Sequence, residues 1–83
     1  MMIQIGRIKA SVTWEVKRLR PPDHTDCWMI QGSWLEDGRR WTTGERTAFV
    51  ERERDVKPTL ARLRRKCGDY VWVDALVSVA ACQ

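Results

Sequence analysis

Residues 34–41 read Trp34-Leu35-Glu36-Asp37-Gly38-Arg39-Arg40-Trp41. Asp-Gly is the pair selected by a two-residue type I′ turn, because both central residues must adopt positive φ. A turn at Asp37-Gly38 makes the flanks a β-hairpin. It sets Glu36 against Arg39, Leu35 against Arg40, and Trp34 against Trp41 on one side of the ribbon. Directly opposed aromatic residues contribute about 0.2–1 kcal/mol to such a pair. The first arm reaches back to about Cys27. Along the second arm the same register sets Ile30 against Glu45, a poor match. Thr43-Gly44 lies just before Glu45, so a bulge is expected there, with the strand resuming from Arg46 to Val50.

Upstream, the apolar residues Ile8, Ala10, Val12, Trp14 and Val16 fall on every second position from Arg7 to Lys17. This period of two predicts a half-buried strand. Ile3 and Ile5 have the opposite parity, and Gly6, where the phase changes, is placed to bulge. Between this strand and the hairpin, Leu19-Arg20-Pro21-Pro22-Asp23-His24-Thr25-Asp26 reads as a loop, because paired prolines remove donors and fix the backbone.

Downstream, Val56, Leu60, Leu63 and Cys67 lie at i, i+4, i+7 and i+11, one stripe at the helical period. Asp55 is placed to cap this helix, Pro58 is tolerated in its first turn, and Gly68 is placed to end it. From Tyr70 to Ala81 both parities are partly apolar. That pattern predicts a strand in the middle of a sheet or in a subunit contact. The expected fold is α+β: a four-stranded, mainly antiparallel sheet with one helix on one face, in the order β-β-β-α-β. At 83 residues, with no repeat and no linker, residues 1–83 form a single small domain. A domain this short buries only about 60–65% of its unfolded surface, which leaves little room for an enclosed catalytic pocket.

The composition narrows the function. Hydrophobic residues make up 43% and charged residues 31%, which excludes a disordered tail. The net charge of +4 favours polyanions or acidic protein surfaces. No apolar run approaches the roughly 18–20 residues of a membrane span, and the start shows no export signal. Three widely spaced cysteines, Cys27, Cys67 and Cys82, read as reduced thiols, so a cytoplasmic location is expected.

No catalytic residue, metal site or cofactor is assigned. The single histidine, His24, stands near Asp26 and Cys27 without the paired Cys or His motif of a zinc site. Cys67 lies on the apolar stripe of the helix and is expected to be packed. Neither a phosphate-gripping glycine loop nor a paired-carboxylate motif is present.

Two features point to binding. The helix carries Lys57, Arg62, Arg64, Arg65 and Lys66 with no acid between them, more cations than dipole compensation requires. Five tryptophans also exceed what a small core uses. Trp14 and Trp72 are assigned to the core. Trp34 and Trp41 stand beside Arg39 and Arg40 at a hairpin tip, where rigid aromatic and guanidinium groups suit an interface centre. The candidate partner-binding residues are therefore Trp34, Arg39, Arg40, Trp41, Arg62, Arg65 and Lys66.

The leading expectation is a non-enzymatic inhibitor or adaptor that occludes a site on a protein or nucleoprotein complex. As a short domain standing alone, the chain resembles in format phage accessory proteins that block host defence complexes, such as anti-CRISPR proteins, a group with no common motif. The alternative is a small basic nucleic-acid-binding module that uses the helix over residues 56–67 and an exposed aromatic sheet face. A homodimer through the strand over residues 70–81 is compatible with either.

Overall fold

A computed structural model describes residues 2–78. Five strands, a short 3₁₀ turn and one helix follow in the order β1 (Met2–Ser11), β2 (Thr13–Leu19), β3 (Cys27–Glu36), β4 (Arg39–Val50), the 3₁₀ turn (Glu53–Asp55), α1 (Val56–Cys67) and β5 (Tyr70–Ser78). The class is α+β, as the hydrophobic periods indicate. The strands form two small antiparallel sheets, a ribbon β1-β5 and a three-stranded sheet β2-β3-β4.

The division into two sheets departs from the single four-stranded sheet expected, and its cause is local. The alternating run from Arg7 to Lys17 is broken at Val12, where the chain changes sheets. Val12 is buried, and its backbone N–H donates to the carbonyl of Asp69 at 2.8 Å, outside either ladder. Alternation persists across the corner because both β1 and β2 have one apolar and one polar face. Periodicity reports the faces of a strand and is silent about which neighbour it pairs with. For the same reason β5 is not a central strand: among the described residues it pairs only with β1. The expected extension of this strand over 79–81 lies outside the described residues.

The hairpin forms as its turn requires. Asp37 and Gly38 have φ of 55° and 73°, and Glu36, Leu35 and Trp34 oppose Arg39, Arg40 and Trp41. The bulge in β4 is wide. Ser33 pairs with Thr42, whereas Gln31 pairs with Thr47, so residues 43–46 stand opposite Gly32 alone, and Ile30 meets Ala48. The Thr42 hydroxyl donates to the Gly32 carbonyl at 2.8 Å, and the Thr47 hydroxyl donates to the carbonyl of Thr43 at 3.0 Å. These bonds pair carbonyls at the interruption of the ladder. The second bulge also falls where the parity changes, between Gln4 and Gly6.

Helix α1 covers the sheet face that carries Trp14, Val16, Trp28, Ile30, Trp34 and Ala48. Its stripe is turned inward, with Leu63 buried and Val56, Leu60 and Cys67 half-buried. Asp55 occupies the N-cap position, but its side chain makes no capping hydrogen bond, because its backbone is already helical, continuing the 3₁₀ turn, and lacks the extended conformation from which a capping side chain reaches the first free N–H groups. Gly68 ends the helix with its N–H on the carbonyl of Arg64 at 2.8 Å.

The core is thin. Among the described residues Val12, Cys27, Ile30, Leu63 and Val73 are its buried hydrophobic residues, and of these Ile30 is fully buried. Trp72, expected inside, is 51% exposed, because the ribbon turns that face away from the three-stranded sheet. Trp14 is half-buried and lies flat across Gly32, where an added Cβ would stand 2.8 Å from the indole ring. Gly32→Ala should therefore displace Trp14 and lower unfolding stability by about 1–3 kcal/mol in chemical denaturation. Unchanged stability would show that the indole does not rest on this backbone.

Candidate functional site

The three-stranded sheet brings the hairpin tip and the end of α1 to one side. Alternation places Trp34, Glu36, Arg39 and Trp41 on the face that α1 covers, and Leu35 and Arg40 on the reverse. The sequence-predicted tip is thus divided. Arg39 accompanies the two tryptophans, whereas Arg40 points the other way and donates to the Ser33 hydroxyl at 3.0 Å.

Both indoles at the tip are oriented by Glu36. Trp34 Nε1 donates to its carboxylate at 3.3 Å, and Trp41 Nε1 donates to its backbone carbonyl at 3.1 Å. Trp34 is half-buried, whereas Trp41 leaves 47% of its surface exposed. Its polar end is occupied and its apolar body faces water, the arrangement that makes tryptophan effective at an interface centre.

Arg46 joins this tip to the helix. Its guanidinium carbon lies 5.4 Å from the centre of the Trp34 ring, and its Nη2 donates to the carbonyl of Cys67 at 3.1 Å. Nη1 donates to the Thr43 hydroxyl at 3.4 Å, while Nε is buried without a partner among the described residues. The carbonyl of Cys67, at the negative end of the helix, is a natural acceptor for a cation. Cys67 itself is half-buried and its thiol points to the carbonyl of Glu45 at 3.4 Å. Arg46 was not among the residues singled out from the sequence. A bulge expected beside it was the available signal, because a bulge re-aims the side chains that follow it.

Arg62, Arg65 and Lys66 are exposed and make no ion pair among the described residues. Arg64 differs from them. Its Nε and Nη2 donate to the two carboxylate oxygens of Asp69 at 2.9 and 3.3 Å, and the Trp14 indole also donates to Asp69, at 3.1 Å. The Arg64 hydrogen bond, reinforced by its charge and by Trp14, lowers the pKa of Asp69, against a smaller opposing effect of desolvation. The same partner raises the pKa of Arg64, which stays charged. The helix therefore presents fewer free cations than its sequence suggests, and three of the four that remain, Arg62, Arg65 and Lys66, lie in its C-terminal half.

Elsewhere, His24 stacks on Phe49 at 5.6 Å, and its Nδ1 lies 3.7 Å from the Cys27 sulfur. Among the described residues no three His, Cys, Asp or Glu side chains gather closely enough to hold a metal ion, and no helix is long and apolar enough to cross a membrane. Cys27 and Cys67 are free thiols, and Cys82 lies outside the described residues.

The depressed pKa of Asp69 fixes the sign of a pH effect. Such a carboxylate stabilises the fold above its ordinary range, and the contribution is lost as pH falls through its lower folded value. Asp69→Asn should melt modestly below the wild type at neutral pH, and the gap should close in strong acid; a gap independent of pH would mean that charge is not what Asp69 supplies. Comparison with protein-family models, with curated proteins and with solved structures finds no match for this chain.

Proposed function

We propose that this chain is a non-enzymatic binding protein that covers a site on a protein or nucleoprotein partner, as a stoichiometric inhibitor or adaptor. One observation carries the reading: Arg46 bridges Trp34 and the carbonyl of Cys67, so the tryptophan tip and the cationic end of α1 form one surface. Trp41 and Arg39 supply its centre, and Arg62, Arg65 and Lys66 supply its charged margin. Tryptophan and arginine are enriched at the centres of interfaces because each offers a large contact with few rotors or a rigid fork of donors.

The placement of Glu36 favours a protein surface over nucleic acid. Its carboxylate accepts from Trp34 and its backbone carbonyl accepts from Trp41, so a base stacked on Trp34 would bring its phosphate toward a carboxylate. The nucleic-acid reading keeps one support, the unpaired cations Arg62, Arg65 and Lys66 on an exposed helix.

Capture from a lysate of the native host, followed by binding measurements with the purified partner, tests the proposal. Trp41→Ala combined with Arg39→Ala should weaken binding by about 2 kcal/mol or more, roughly 30-fold, as truncation of an interface centre does. The melting temperature should stay close to wild type, because both side chains are exposed. Retained affinity would remove the tip from the interface. Arg62→Glu with Arg65→Glu separates the two partner classes. If mixed-sequence DNA or RNA is the ligand, binding falls steeply with salt and disappears in this variant; a protein partner held by Trp41 responds far less to salt.

A further inference from the structure

The ribbon β1-β5 is the least protected part of the molecule. The chain measures 59 × 30 × 14 Å, with a radius of gyration of 17.1 Å, against about 12 Å for a compact domain of this length. Its accessible surface is 6476 Å², about 1,400 Å² more than the roughly 5,100 Å² a compact monomer of this mass exposes. Two strands alone are marginal in water, and a third strand or a covering layer is what stabilises them. Here the distal half of the ribbon has neither among the described residues. Met2, Ile3, Ile5 and Ile8 are all exposed, Ile5 by 65% and Ile8 by 55%.

The two faces of the ribbon differ. One carries Gln4, Arg7, Lys9, Tyr70, Trp72, Asp74 and Leu76, and much of it is satisfied from within. Lys9 Nζ lies 4.3 Å from the centre of the Tyr70 ring and 5.5 Å from that of Trp72, and Gln4 donates to Asp74 at 2.9 Å. The other face follows from the pairs Ile8 with Val73, Ala10 with Val71 and Gly6 with Ala75, together with Ile3 beyond the bulge. It contains no charged residue. At its inner end it opens into a groove of about 410 Å³ between the ribbon and the hairpin, lined by Ile8, Ala10, Val73 and Leu35 together with the cationic residues Lys9 and Arg40.

We infer that this charge-free ribbon face is the contact between two copies of the chain, packed face to face about a two-fold axis. Charge selects the occupant. A molecule of net charge +4, whose other exposed surfaces carry Arg39, Arg62, Arg65 and Lys66, meets its own copy with least repulsion where it has no charge at all. A whole-chain surplus of this size leaves room for such a contact: half of it removed from each copy would bury about 1,400 Å² in all, a standard stable interface. A two-fold contact is self-complementary, so the ends of the face exchange. Ile3 of one copy then lies toward Ile8 and Leu35 of the other. This contact is separate from the Trp41 surface and does not rest on the reading of it.

Sedimentation equilibrium of the full chain decides the matter, at concentrations up to roughly 100 μM, where contacts of micromolar affinity are saturated. The wild type should run at twice the 9.7 kDa of one chain. Ile8→Lys, which charges the contact face, should run at the single-chain mass. Leu76→Lys, which places the same charge on the opposite face, should keep the double mass. A wild type that stays at the single-chain mass overturns the inference, as does an Ile8→Lys variant that stays at the double mass. If Ile8→Lys does not fold, wild-type melting supplies the answer. The melting temperature of a dimer falls on dilution, and one that is independent of concentration overturns the inference.

Discussion

Asp69 is the point at which the pieces of this molecule are joined. It stands between the glycine that ends α1 and the first residue of β5. Its carbonyl takes the N–H of Val12 at the corner where the chain leaves one sheet for the other, and its carboxylate takes the Trp14 indole and the Arg64 guanidinium. The helix end, the ribbon and the three-stranded sheet are therefore referred to one residue. Because Val12 is buried, its N–H needs a protein partner, and a donor left unpaired there would cost about 1–3 kcal/mol. The corner is possible because the carbonyl of Asp69 meets that need.

Given this junction, packing follows a simple division. Face-on burial is concentrated where α1 lies over the three-stranded sheet, around Ile30 and Leu63. Trp14 spreads over Gly32 to close the gap beneath the helix end. Among the described residues the ribbon shares Val73 with that core. So small a core supports the three-stranded sheet and the helix and has little left for the arm. The same shortage leaves large apolar side chains at the surface in two separate regions, the hairpin tip and the ribbon.

The two regions differ in character, and that difference separates their proposed roles. At the tip, aromatic area is mixed with guanidinium groups and oriented by Glu36, which favours a specific and partly polar contact. On the ribbon the apolar face carries no charge, which suits a contact between identical molecules. An arrangement with both would present two tip surfaces per assembly, so a partner with repeated sites would be held with an avidity that neither surface has alone.

The hairpin was legible because its determinants are local: Asp37-Gly38 satisfies a φ requirement within two residues, and the opposition of Trp34 and Trp41 follows by counting. The bulges were legible because parity and charge clash where the register fails, at Gly6 and before Glu45. Helix α1 showed itself by its stripe. Of the candidate site, the tryptophans and cations could be named from composition, but Arg46, the residue that unites them, was marked by no more than the bulge beside it, since its contacts lie 12 and 21 residues away in the chain. The corner at Val12, the split into two sheets and the exposure of Trp72 were equally hidden. Amino-acid sequence by itself determined which residues turn, which alternate and which line a helix, because those preferences act between near neighbours. Which strand pairs with which, and therefore which apolar faces are left uncovered, was decided only in the tertiary structure, where one backbone donor at Val12 found its acceptor 57 residues away.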